Sequence, residues 1–180
     1  DTDIFYPEPL SKQKDYYLMV GRLLYYKGFD IGVKAFNRLK KPLKIIGRGP
    51  EEEKLKKLAV SPYIEFIQSV SDSELRMLYS NAKAFIFPQI EDFGLVAAEA
   101  QACGLPVLAY NKGGSTEIVE DRKTGLFFNE QTPEAIIGAV NDFEKTRFDR
   151  NYISERAKRF SKKEFKRRFS ELVQRSGYLV

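Results

Sequence analysis

From residue 16 to residue 128, short apolar runs alternate with longer segments in which apolar residues recur every three or four positions. The runs at 16–20, 43–46, 63–67, 84–87, 106–109 and 125–128 have the length and near-continuous apolarity of strands buried on both faces. Between them, 29–39 places Ile31, Ala35, Phe36 and Leu39 on one helical face, and 51–59 forms a further helix. Ser71 with Glu74 three residues on is a capping box that starts a helix running to Asn81. An alanine-rich helical run reaches Cys103 and is closed by Gly104, a residue suited to a helix C-terminus. Thr132 caps a helix whose first residue is Pro133. Regular β/α alternation with short connections predicts an α/β domain with a doubly wound parallel sheet, Rossmann-like, of six strands with helices on both faces. The domain is expected at 16–150, with a proline-bearing entry segment at 1–15 and basic helices at 151–180.

Ligands of such sheets bind beyond the carboxyl ends of the strands, where the chemically loaded residues of this chain gather. The first strand is followed by Gly21, Arg22, Lys27 and Gly28, the second by Gly47-Arg48-Gly49-Pro50, and the fifth by Asn111 to Glu117. The fourth leads into Gln89-Ile90-Glu91-Asp92-Phe93-Gly94-Leu95-Val96-Ala97-Ala98-Glu99. Glu91 lies on the loop and Glu99 within the following helix. Between them, Gly94 and Leu95 fall where backbone N–H groups lack partners and the helix dipole favours an anion. Acid, anion site and acid at one strand end outline a site for a phosphorylated polyol. Arg22 offers a bidentate fork for phosphate and Lys27 a point charge. Each taken alone fits a solvated surface cation equally well; their joint placement favours a diphosphate.

Composition narrows the classes. With 43% hydrophobic residues the chain is of a folded type, and no apolar run approaches the roughly 20 residues that span a bilayer. Cys103 is the single cysteine, so no disulfide closes within the chain and a reducing, cytoplasmic compartment is expected. With zero histidines a zinc site is not expected, nor is a histidine base from this chain. No Asp-x-Asp motif is present, and no metal is required if Arg22, Lys27 and the helix start supply the charge. The tail from Arg156 to Arg168 is strongly basic, while Phe165, Phe169, Leu172 and Val173 share a helical face. The favoured reading is a terminal helix packed on protein by its apolar face. The other is attraction to an anionic membrane surface, peripherally at the inner face. Nucleic acid is not expected, because the basic residues come without a recognition module.

Glu91 and Glu99, with seven residues between them around Phe93-Gly94-Leu95, resemble the signature of the retaining nucleotide-sugar glycosyltransferases that include sucrose synthase and many mannosyltransferases. Gly21-Arg22 with Lys27-Gly28 resembles that family's basic pair, and Gly47-Arg48-Gly49-Pro50 its glycine loop. Cys103-Gly104-Leu105-Pro106-Val107, Gly113-Gly114 through Val119, and the opening Asp1 to Pro7 resemble further family segments in the same order. The resemblance implies the second, donor-binding half of a GT-B enzyme, one of two Rossmann-like domains facing across a cleft. It implies that Arg22 and Lys27 bind the donor diphosphate and that Glu99 holds the ribose hydroxyls. Glu91, as the catalytic residue, would face the donor sugar with the backbone of Asp92, Phe93 and Gly94. Leu95 and Val96 amides would reach phosphate, with Val70 and Asp72 near base and ribose. Asp72 also reads as an ordinary helix-start acid. Gln68 departs from the glycine common in the family, which bears on how the base is held.

The expected function is transfer of a hexosyl group, mannosyl favoured, from a GDP-sugar or UDP-sugar to the hydroxyl of an acceptor glycan or lipid-linked sugar, with retention and without a cofactor. The isolated chain is expected to be inactive without its N-terminal domain. Two alternatives stand beside it: a non-catalytic nucleotide-sugar binding module, and half of a sugar-nucleotide epimerase.

Overall fold

The computed structural model describes residues 1–9 and 15–175. The six apolar runs form β1 (Tyr17–Val20), β2 (Leu43–Ile46), β3 (Ile64–Ile67), β4 (Phe85–Phe87), β5 (Val107–Tyr110) and β6 (Gly125–Phe128). They pair in parallel throughout, in the order β3-β2-β1-β4-β5-β6. The connecting helices are α1 (Phe29–Leu39), α2 (Glu52–Leu58), α3 (Asp72–Asn81), α4 (Leu95–Ala102), the short α5 (Ser115–Ile118) and α6 (Pro133–Phe143). Two more, α7 (Arg150–Ala157) and α8 (Lys162–Arg175), follow β6 and α6.

Successive strand residues point to opposite faces, and each face has its own core. On one side Leu18, Val20, Phe85, Phe87 and Val107 pack with Tyr79 of α3 and the alanines of α4. On the other Tyr17, Met19, Ile45, Ile86 and Leu108 pack with Phe36 of α1, Leu55 of α2 and Val140 of α6. Alanine suits α4 because Ala97 and Ala100 are fully buried at close range to the sheet. Local signals hold at the helix ends. Ser71 and Glu74 close a reciprocal capping box, Thr132 accepts from the Ala135 amide at 3.2 Å, and Gly104 takes a positive φ just past α4.

The strand order reverses between β1 and β4, so the loops leaving those two strands diverge and open a crevice at their carboxyl ends. The chain beyond β1 and β2 is drawn tight there. A Cβ at Gly47, where φ is +150°, would lie 1.9 Å from the Gly21 carbonyl oxygen.

The entry segment is anchored over its described part. Phe5 is buried edge-on against Tyr79, and Arg76 donates to Glu8 and to the Ile4 carbonyl. Residues 10–14 of that segment and 176–180 of the tail lie outside the described residues. The tail departs from the expectation that its apolar face packs on the rest of the chain. No residue of α8 is buried; Phe165, Phe169 and Leu172 are exposed, the two phenylalanine rings stacking on each other. Ala157 of α7 and Phe160 of the 3-10 turn after it already pack on the core of one sheet face, ahead of α8 in the chain.

Candidate functional site

The crevice is built from four loops. After Gly21 and Arg22 the chain makes a 3-10 turn, Tyr25–Lys27, ended by Gly28 in the left-handed region at φ 68°. This aims the Lys27 ammonium across the strand reversal to Glu91 Oε1, 2.8 Å away. Both side chains are largely covered (17% and 27% exposed), so the attraction is screened less than at an open surface. Glu91 Oε1 is enclosed and makes no aligned hydrogen bond, so its contact with Lys27 is electrostatic. The loop after β5 supports this segment from below. The Gly114 amide donates to the Glu91 carbonyl at 2.8 Å, and a Cβ on Gly114 would lie 2.2 Å from the Phe93 carbonyl oxygen.

Gly94 is the N-cap of α4, with φ 92° and ψ 53°, and no side chain caps the helix. The first-turn amides of Leu95 and Val96 therefore face the crevice as an electropositive edge. Leu95 and Phe93 are exposed, and the site is an open ledge on this domain. Arg22 is exposed and pairs with no described acid, leaving its guanidinium free for an anionic ligand. Asp92 is exposed as well. A lysine–carboxylate pair, a free arginine and an uncapped helix start at the strand reversal can hold a diphosphate and keep one carboxylate beside it.

Glu99 lies one turn inside α4, half-buried, and its carboxyl is pushed up to about 7 by burial, with a further rise from the Asp72 carboxylate. Asp72 is exposed in the first turn of α3, and Val70 packs on the core beside it. The structure thus brings Glu99 and Asp72 within charge range and Lys27 onto Glu91. Gln68 is held away, donating to Glu52 of α2 at 3.0 Å.

The buried carboxyl has a consequence for stability. Its folded pKa of about 7 exceeds the ordinary 4.5, so the native state binds the extra proton between those values and loses stability as pH rises through them. Glu99→Gln is expected to flatten that fall, seen as urea midpoints that change less than wild type between pH 5 and pH 7.5. An unchanged slope would mean that another group titrates there.

One contributor carries no local signal in the sequence. Phe160, in the 3-10 turn after α7, packs edge-to-face on Phe93 with ring centres 5.5 Å apart. Its neighbour Arg159 donates to the Glu117 and Ile118 carbonyls, and Glu120 gathers Tyr152, Arg156 and Arg159. The tail thereby reaches back to brace the loop that carries Glu91 and Phe93. Among the described residues no group of three or more His, Cys, Asp or Glu side chains is placed to hold a metal ion.

The pattern of the glycosyl transferases group 1 family matches residues 1–160. A GDP-mannose-dependent alpha-(1-6)-phosphatidylinositol monomannoside mannosyltransferase of Mycolicibacterium smegmatis is 31% identical over 169 residues, covering 79% of this chain and 44% of the relative. A D-inositol 3-phosphate glycosyltransferase of Acidothermus cellulolyticus is 36% identical over 142 residues, 68% of this chain and 32% of that one. Sucrose-phosphate synthase from Thermosynechococcus elongatus superposes with a TM-score of 0.83 at 25% identity, covering 100% of this chain and 51% of that structure. The chain spans less than half the length of the curated relatives it matches. Motif order, a sheet reversing at the Glu91 loop and these likenesses converge: the chain belongs to the glycosyl transferases group 1 family.

Proposed function

We propose that this chain is the donor-binding half of a retaining hexosyltransferase that uses a nucleoside diphosphate sugar. The observation that carries the reading is the Lys27–Glu91 pair beside the uncapped start of α4, at the strand reversal. In this arrangement Arg22, Lys27 and the Leu95 and Val96 amides receive the diphosphate, whose charge grows as the sugar leaves; cations and amides set in advance stabilise that charge most. Phosphate oxygens compete with Glu91 for the Lys27 ammonium. Donor binding therefore frees the Glu91 carboxylate to accept from a sugar hydroxyl, with Asp92, Phe93 and Gly94 backbone around it. Glu99 accepts from the ribose hydroxyls, and Val70 and Asp72 border the base and ribose.

No cofactor enters this scheme. The donor is a GDP-sugar or UDP-sugar, with mannose favoured by the GDP-mannose-dependent relative. The acceptor is a glycan or lipid-linked sugar, and the second wall of the cleft is an upstream Rossmann-like domain. Phe165, Phe169 and Leu172, exposed on a helix with a basic flank, suit peripheral contact with an anionic membrane at the cytoplasmic face.

Calorimetry tests the diphosphate site. Arg22→Ala should weaken GDP or UDP by about ten- to a hundredfold, the roughly 1.5–3 kcal/mol of a charged contact, and change nucleoside binding much less. Unchanged nucleotide affinity in a folded variant removes Arg22 from the site. Because Glu99 must be ionised to accept both ribose hydroxyls, nucleotide affinity should also rise as pH passes through about 7.

A further inference from the structure

Arg48, on the loop after β2, has a fixed backbone and an unengaged side chain. The parallel ladder runs on past the strands themselves. The Gly21 and Leu23 amides donate to the Ile46 and Arg48 carbonyls at 3.0 and 2.9 Å, and the Gly47 amide donates to the Ile67 carbonyl at 2.9 Å. Gly49 is pressed onto the loop after β1, where a Cβ would lie 2.2 Å from the Leu23 carbonyl oxygen. Val20, Ile46 and Ile67 are register partners, so Arg22, Arg48 and Ser69 follow them in one row, about 4.8 Å apart at the backbone. The Arg48 side chain is exposed and donates one long hydrogen bond, to Ser69 Oγ at 3.4 Å. The acid on the neighbouring helix, Glu52, is already engaged by Lys56 at 2.8 Å and by Gln68 at 3.0 Å.

We propose that Arg48 reads the base of the donor and selects guanine. The inference rests on the donor reading above and names the nucleotide that the site takes. With the diphosphate at Arg22, Lys27 and the start of α4, and the base bordered by Val70, a bound nucleotide crosses the carboxyl end of β2. Arg48 is the cation at that strand end. A guanidinium presents parallel N–H donors in a rigid fork, and it suits two acceptors set side by side. Guanine has such an edge in O6 and N7. Adenine places an amino donor beside N7, and uracil has O4 beside a C–H, so neither fills the fork. Gln68, the polar side chain next to Ser69, is held on Glu52 and does not contend for that edge.

The test is calorimetry of this chain with GDP, 7-deaza-GDP, UDP and ADP. GDP should bind about tenfold or more tightly than UDP or ADP. 7-Deaza-GDP, which has a C–H in place of N7, should bind about threefold or more weakly than GDP. Arg48→Ala should weaken GDP about tenfold, leave UDP within about threefold, and remove the difference between GDP and its 7-deaza analogue. Arg48→Lys keeps the charge without the fork and should lose GDP as the alanine variant does. Circular dichroism confirms that both variants fold, as substitution of an exposed side chain allows. Unchanged GDP affinity in Arg48→Ala overturns the inference, and so does tighter binding of UDP or ADP than of GDP by the unaltered chain. Equal loss of GDP and UDP in Arg48→Ala, restored in Arg48→Lys, makes Arg48 a phosphate cation and overturns base reading. Each of these results leaves the donor reading standing, whereas a chain that binds none of the four nucleotides retires both.

Discussion

Residues 1–180 alone should bind a nucleoside diphosphate without turnover, whereas one chain carrying the proposed upstream Rossmann-like domain as well should transfer sugar. The physical reason is the open ledge: Phe93 and Leu95 are exposed, and the Glu91 side chain keeps 27% of its surface open. Closing a second domain over it excludes water and brings up the acceptor, and both are needed for transfer to outpace hydrolysis. Glu91→Gln is the sharper probe, because Glu91 is proposed both to hold Lys27 before the donor binds and to face the sugar afterwards. In the two-domain protein the substitution should cut transfer by about a hundredfold, comparable with loss of one well-placed polar group in a transition state. In residues 1–180 it should tighten GDP or UDP by a few-fold, since Lys27 is released and a negative charge beside the diphosphate is removed, roughly 1 kcal/mol for a partly covered pair. Radiolabelled transfer assays and calorimetry read the two effects separately. Robust transfer by residues 1–180, or weaker nucleotide binding in the glutamine variant, would contradict the scheme.

Gly47→Ala should be the most destabilising single-methyl change in the site's scaffold. The added Cβ would stand 1.9 Å from the Gly21 carbonyl oxygen, a backbone atom that cannot move without shifting β1, and φ at +150° is strained for any side chain. A loss of about 3 kcal/mol or more is expected, a large part of the stability of a domain this size. Gly138→Ala is the matched control. It lies inside α6 with nothing within 4 Å of its Cβ, and it should gain about 0.5–1 kcal/mol from helix propensity. Urea unfolding followed by circular dichroism compares them; equal midpoints would show that the β1 and β2 ends relax apart at little cost.

Features that depend on residues close together along the chain are legible in the sequence itself. The two-sided strands, the Ser71–Glu74 capping box, the Thr132–Pro133 start and the Gly104 stop are each written within a few positions, because backbone geometry and local hydrogen bonding determine them. The order of glycine and charged segments also marks the strand ends where the candidate site's residues gather. Which partners meet there is decided by the sheet order. Lys27 and Glu91 are 64 positions apart and touch only because β4 inserts beside β1, with the reversal between them. Phe160 reaches Phe93 through α7, and no pattern around Phe160 marks it as part of the site. The raised Glu99 carboxyl comes from burial against a neighbouring helix, which the alanines around it suggest and only packing establishes. The apolar face of α8 shows the converse. Its helical period is plain in the sequence, but periodicity says only that a face exists, and tertiary structure decides whether this chain supplies the surface to cover it.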